Sequence, residues 1–239
     1  MGSGRTENGR PKAPLGTHTG LSLTRLCSVL GWPSTVGPLL MSNSDETFRI
    51  VLIIGAVLLF PAGFYYRFKS QSTGETLDRR QEGLAILLTL RPIGLAGALG
   101  LIAFMVNPST MAWSSLPLPN WLRWAGVGVG ISGGGLLLWT FHTLGPNLTD
   151  TVVTRKTHTL VTRGPYRWVR HPFYDSAALG ILANSLVAAN WFLLLTGGLA
   201  LVLLVVRTRK EEENLLNRFG EDYRAYTERT GRFWPKSGS

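Results

Sequence analysis

Two polar stretches interrupt the apolar second half of the chain, and they hold the residues whose types could do chemistry. The first, from His158 to Tyr174, reads H-T-L-V-T-R-G-P-Y-R-W-V-R-H-P-F-Y. It carries Arg163, Arg167 and Arg170, with Arg155 just upstream, together with two histidines and two prolines. The second, from Arg207 to Tyr223, reads R-T-R-K-E-E-E-N-L-L-N-R-F-G-E-D-Y. Arg207 and Glu211 stand four apart, so on a helix they share one face and can point into one pocket. A guanidinium suits a carboxylate there, because its donors form a fixed fork. As a bare sequence pair the two are equally a surface ion pair worth about 0.2–0.5 kcal/mol. Glu212 and Glu213 project from other faces, where solvent, Arg209 or Lys210 would satisfy them.

The elements that must position these residues follow from what lipid tolerates. A stretch as polar as 158–174 cannot lie in hydrocarbon, where each unpaired backbone or charged group costs several kcal/mol. Pro165 and Pro172 each remove a backbone donor and push Gly164 and His171 away from helical angles. The expectation is a constrained turn at the membrane face that fixes Tyr166, His171 and Tyr174. On charge alone a basic loop that only sets topology is the simpler reading, with His171 capping a turn and the tyrosines anchoring at the interface.

The rest of the sequence supports a membrane setting. Hydrophobic residues make up 45% of the 239 and charged ones 16%, and the apolar residues come in blocks rather than periodic stripes. That is the composition of a membrane protein rather than a soluble core. The net charge of +10 does not indicate nucleic acid, because the basic residues flank apolar blocks instead of gathering on one aromatic-interleaved surface. A single cysteine, Cys27, leaves no disulfide framework, and the spacing of His18, His142, His158 and His171 predicts no metal site.

Residues 1 to 47, rich in Gly, Ser, Thr and Pro, read as a disordered tail, and Met41 is an alternative start. Residues 48 to 239 form the remaining domain. Phe48 to Tyr66 is a first span, closed by Tyr65, Tyr66, Arg67 and Lys69. Leu84 to Val106 is a second, with Arg91 snorkelling near the surface. Trp124 to Phe141 is a third. It contains G-x-G-x-x-G at Gly128 to Gly133, but no strand precedes it, so a dinucleotide site is rejected. Gly126, Gly130 and Gly134 instead put small residues on one face for close helix packing. Asp175 to Ala189 and Trp191 to Val206 predict a helical hairpin turning at Asn190, its second helix running on through Arg218 to end near Gly220. The basic, amphipathic stretch from Tyr223 to Lys236 predicts an interfacial cap.

The fold class is thus an all-α polytopic membrane bundle of about five spans, the last two a hairpin. Basic residues orient it: four follow the first span, five lie in the central loop and eight lie from Arg207 onward. That excess places the C-terminus, and a pocket beside it, on the cytoplasmic face.

The two stretches together resemble the isoprenylcysteine carboxyl methyltransferase family and its relatives, the phospholipid N-methyltransferases. The pattern H-x-L-V-x-x-G-P-Y-R-x-x-R-H-P-x-Y is met in full by residues 158 to 174, and R-x-x-x-E-E-x-x-L-x-x-x-F-G-x-x-Y by residues 207 to 223. The likeness covers roughly the last hundred residues, and two long patterns in order are far more specific than either alone. It implies an integral membrane methyltransferase using S-adenosyl-L-methionine. His158, Thr159, Leu160 and Val161 would line the adenosine side, and Tyr166, His171, Pro172, Phe173 and Tyr174 would complete the cofactor pocket. Glu211 would hold the cofactor, and Arg207 would face the acceptor's carboxylate. The implied partners are a lipophilic or lipidated acceptor and membrane lipids, with no nucleic acid. Asp175-Ser176 stands where better-known members carry an apolar residue and glycine, so a prenylated cysteine is not assumed. An amine acceptor, as in phospholipid N-methylation, and a non-enzymatic membrane scaffold or transporter remain alternatives.

Overall fold

The computed structural model describes residues 43–71, 84–145 and 159–236. Residues 1–42 of the tail expected over 1 to 47, and His158, lie outside them; residues 43–47 are helical instead, opening the first helix, where Asp45 and Glu46 suit the positive end. The described chain is helical: α1 Asn43–Gln71, α2 Leu84–Val106, a 3-10 segment Pro108–Ser114, α3 Asn120–Leu144, α4 Pro172–Val187, α5 Trp191–Phe219 and α6 Glu221–Arg229. No strand occurs among the described residues, which show only two isolated bridges.

Four helices, α1, α2, α3 and α5, are long and apolar enough to cross a membrane. The fifth expected span, α4, has sixteen residues and is not among them. At 1.5 Å per residue it reaches about 24 Å, short of the ~30 Å hydrocarbon core. It is the shorter arm of the expected hairpin, and α5 is the longer, with 29 residues continuing unbroken past Val206. α2 likewise runs unbroken through Pro92, and Arg91 is exposed on it. Large apolar side chains such as Leu58, Ile131 and Val202 face outward, as lipid contact requires.

The closest helix pair is α3 against α4, and glycine is the reason. A Cβ on Gly126 would come within 2.7 Å of the Leu186 Cβ, and one on Gly133 within 2.8 Å of the Leu179 Cβ. One on Gly130 would lie 3.3 Å from the Ala183 Cβ. Any side chain larger than hydrogen would separate the two backbones. Gly134, expected on the same face, abuts Leu59 of α1 instead, because the helix turns past α4 within two turns. The G-x-G-x-x-G motif therefore lies inside an apolar helix long enough to cross a membrane, where Gly130 and Gly133 serve packing and Gly128 faces open space.

The apolar core gathers at the hairpin-tip end, where Phe48, Leu52, Phe104, Met111, Val187, Ala188 and Leu193 are buried together. Asn190 closes the turn. Its Oδ1 accepts from the backbone N–H groups of Phe192 (3.0 Å) and Leu193 (3.2 Å), capping α5, while its Nδ2 donates to the Ser114 Oγ at 2.8 Å. Arg123 is buried beside it. Its Nε donates to the Val187 carbonyl at 2.9 Å, its Nη1 pairs with Asp45 at 2.7 Å, and its guanidinium lies 4.0 Å from the centre of the Phe48 ring. Asp45 is in the first turn of α1, which thereby joins α3 and α4.

Candidate functional site

At the opposite end of α3 the first motif folds back on the bundle. Arg163 is extended, and Gly164 takes φ +60° to enter the 3-10 turn Gly164–Arg167. Glycine is needed there twice over: the left-handed angle disfavours a side chain, and a Cβ would collide with the Thr143 hydroxyl of α3. Pro165 is buried in the turn, and Trp168 meets Trp139 of α3 edge-on, ring centres 5.6 Å apart. Pro172 then opens α4 at its first turn, where its missing N–H costs nothing. His171, just ahead of it, is held outside helical angles at φ −126°, ψ 54°.

The C-terminal segment pins this loop. The Arg170 N–H donates to the Gly231 carbonyl (2.9 Å), the His171 N–H to the Arg232 carbonyl (3.1 Å), and the Gly231 N–H to the Trp168 carbonyl (3.1 Å). The Tyr226 hydroxyl of α6 donates to the Tyr166 carbonyl at 2.7 Å.

α5 delivers the carboxylates. The Tyr174 hydroxyl lies 2.8 and 2.9 Å from the two Glu211 oxygens. Arg207, one turn earlier, places its Nε 3.3 Å from Glu211 Oε1, and His171 Nδ1 lies 3.9 Å from Glu211 Oε2. Glu212 is not solvated as its position on the helix suggested, and its partners are other than Arg209 and Lys210. Its Oε1 takes Arg170 Nε at 3.0 Å and His171 Nε2 at 3.1 Å, and its Oε2 takes Arg232 Nη2 at 3.0 Å. The loop and tail approach α5 from the side on which Glu212 projects, which a helix considered alone does not reveal. Burial pushes the Tyr166 and Tyr223 hydroxyls above the ordinary tyrosine range, Tyr166 further by Tyr226 and Glu211 and Tyr223 further by Glu212. Burial likewise raises Tyr226 to about 12. These hydroxyls therefore stay protonated at neutral pH, and that of Tyr226 donates to a main-chain carbonyl.

Of the sequence-predicted site residues, the structure brings Tyr166, His171, Tyr174, Arg207 and Glu211 into one cluster. Pro172 is buried and shapes the start of α4. Phe173 stacks on Phe141 of α3, ring centres 6.1 Å apart, and is partly exposed. Thr159 is exposed and Leu160 and Val161 are half-buried, in a segment without regular secondary structure that leads into the turn. Sequence reasoning missed Arg170, Glu212, Tyr226 and Arg232. Arg170 and Glu212 were within reach, since each lies inside a quoted pattern; Arg232 carried no signal.

Comparison with known proteins places this geometry. A family model described as the isoprenylcysteine carboxyl methyltransferase (ICMT) family matches residues 126–217. A protein-S-isoprenylcysteine O-methyltransferase of Rattus norvegicus is 34% identical over 124 residues, 49% of this chain and 42% of the rat protein. The chain thus matches less than half the length of that relative. A cobalt-zinc-cadmium resistance protein, CzcN of Cupriavidus metallidurans, is 33% identical over 82 residues, 34% of this chain and 38% of that one. Among solved structures, the eukaryotic intramembrane Ras methyltransferase ICMT superposes with a TM-score of 0.54 at 22% identity, covering 82% of this chain and 69% of that chain. The last likeness is one of fold.

Proposed function

We propose that the chain, whose residues 126–217 match the isoprenylcysteine carboxyl methyltransferase family, is an integral membrane methyltransferase of that family. It moves the methyl group of S-adenosyl-L-methionine to the carboxylate of a lipophilic, isoprenylcysteine-like acceptor. The observation that carries this reading is the meeting of the two motifs. Tyr174 and His171 from one, and Arg207 and Glu211 from the other, converge within hydrogen-bond or ion-pair reach at one end of the bundle.

The residues present fit the cofactor by their chemistry. A nucleoside with a charged amino-acid tail needs an acceptor for ribose hydroxyls or an ammonium, and Glu211 supplies one. It also needs aromatic and apolar walls, which Tyr166, Tyr174, Leu160 and Val161 supply. When bound, the cofactor supplies an electrophilic methyl on its sulfonium. The protein's part is to hold donor and acceptor in line and to keep water out. Arg207 would orient the acceptor carboxylate through its fork of donors, and the Tyr174 hydroxyl would hold Glu211 in place. His158, Thr159, Pro172 and Phe173 would complete the pocket's wall.

A carboxylate acceptor is ionised at neutral pH and needs no base, whereas an amine must lose a proton. Glu211 already takes Tyr174 and Arg207, and Glu212 takes three donors, so neither carboxylate is placed as a base. This favours the carboxyl acceptor over an amine. The excess of basic residues beside the site supports a cytoplasmic location for it. The helices from α1 onward would form the methyltransferase domain.

The test is direct. Purified protein in nanodiscs should bind S-adenosylhomocysteine in calorimetry and transfer a radiolabelled methyl to an S-farnesyl cysteine analogue, with the label released by mild base as expected of an ester. Base-stable label would move the reading to N-methylation, and no cofactor binding at all would end it.

A further inference from the structure

One carboxylate joins three parts of the chain that are far apart in sequence. Glu212, on α5, takes Arg170 and His171 from the first motif and Arg232 from the C-terminal segment. Arg170 also donates from its Nη1 to the Thr230 carbonyl at 2.6 Å, so the same guanidinium holds both the carboxylate and the tail. The His171 ring packs 5.7 Å from Phe233 on the tail and 5.5 Å from Tyr174 at the site.

We propose that Glu212 is a positioning residue: it latches the segment Thr230–Phe233 onto the first motif and pins a proton on His171 Nε2, so that Nδ1 is the nitrogen turned toward Glu211. This rests on the methyltransferase reading only for its consequence, a correctly oriented cofactor wall.

The tautomer follows from donor and acceptor roles. A carboxylate paired with Arg170 and Arg232 is ionised, and an ionised carboxylate only accepts. The hydrogen in the 3.1 Å contact between His171 Nε2 and Glu212 Oε1 therefore belongs to the ring. A second nitrogen fixed by what the first one bonds is the usual way an imidazole is oriented. The latch adds Glu212 to the tail's own main-chain bonds and ring contact. The buried Tyr223 hydroxyl and the Arg232 Nε have no hydrogen-bond partner among the described residues. Unpaired polar atoms offset part of what the tail gains from its main-chain hydrogen bonds to the loop, so the charged joint adds what that docking lacks.

The experiment uses the full chain in nanodiscs with Glu212→Gln, which keeps size and removes charge, and Arg232→Gln, which frees the tail and spares the imidazole contact. Hydrogen–deuterium exchange follows residues 170–171 and 230–233. Nitrogen-15 shifts of labelled histidine follow the tautomer, with His171→Asn assigning its signal among the four histidines. Glu212→Gln should speed exchange in both segments by about tenfold and change the His171 nitrogen pattern. It should also weaken S-adenosylhomocysteine by about tenfold, the loss of roughly one charge-assisted hydrogen bond. Arg232→Gln should speed exchange in the tail and leave the nitrogen pattern as it was. Unchanged tail exchange and an unchanged pattern in Glu212→Gln overturn the latch. If that variant loosens α3 and α4 as well, it has unfolded, and Arg232→Gln alone decides: faster exchange confined to the tail supports the latch, and none overturns it. If the wild type binds no S-adenosylhomocysteine, the methyltransferase reading fails, while exchange and nitrogen shifts still decide the latch.

Discussion

Both ends of the bundle draw arginine inward, buried at one and half-buried at the other, and they use it differently. At the hairpin-tip end, Arg123 is consumed by structure: a main-chain carbonyl, one aspartate and an aromatic face absorb it inside the apolar core. At the motif end, Arg170, Arg207 and Arg232 surround two adjacent glutamates, with a histidine and a tyrosine between them. The first arrangement spends the guanidinium on a main-chain carbonyl, a partly exposed aspartate and a ring inside the apolar core, with its Nη2 left without a hydrogen-bond partner among the described residues. The second ends in carboxylates and a ring, groups that a polar ligand can share. A buried charge is therefore not in itself a functional signal; what it is paired with separates the two ends.

That contrast can be broken by substitution. The largest expected effect is at Arg207. Arg207→Ala should lower turnover by about 10²–10³-fold, as for removal of a group that holds a reacting charge, with S-adenosylhomocysteine affinity within a factor of a few. Joint loss of binding and turnover would give Arg207 another role. Next comes Arg123→Ala, which should cost about 3 kcal/mol of stability from the charged hydrogen bond and the ring contact. Asp45 is 37% exposed, so its pairing is discounted for solvent screening. Thermal unfolding in detergent should shift sharply while cofactor affinity measured well below the transition stays put; a loss of affinity there would erase the distinction between the ends.

Smaller effects sharpen the picture. Glu211→Ala should weaken S-adenosylhomocysteine by about 10- to 100-fold, the range of one or two hydrogen bonds to a charged group, with little change in melting temperature. Equal affinity in Glu211→Ala and the wild type would remove the carboxylate from the pocket. Smallest is Asn190→Ala, which removes the cap of α5 and should cost about 1–2 kcal/mol. Methyl transfer per folded molecule should be unchanged, and a specific-activity loss larger than the folded fraction explains would tie the tip to the site.

The helices were legible because lipid imposes strong rules: long apolar runs, glycine faces and charged flanks each carry one reading. The hairpin turn at Asn190 could be placed for the same reason, since a polar residue between two apolar runs has to cap something. The run that forms α4 reads as short for a full crossing, and counting it as a fifth span was the part that did not hold. Its apolar run is bounded by Pro172 and the turn, and only the packing against α3 shows that sixteen residues suffice for its place. Within the site, Tyr174, His171, Arg207 and Glu211 were found through the two patterns. Helix spacing correctly put Arg207 beside Glu211, because that contact is local to one turn.

Glu212 shows where such reasoning stops. Its neighbours Arg170, His171 and Arg232 arrive from a loop and a tail whose approach no local period encodes. By itself the sequence determined the membrane setting, the helical architecture and the pairing of Arg207 with Glu211, since each follows from hydropathy or from neighbours one turn apart. The tertiary structure decided which carboxylate faces which donors, and that the C-terminal segment closes over the first motif. Those contacts join residues tens of positions apart, brought together by the turn that Gly164 seats against Thr143 and by the tail's main-chain hydrogen bonds to that turn, which no local pattern encodes.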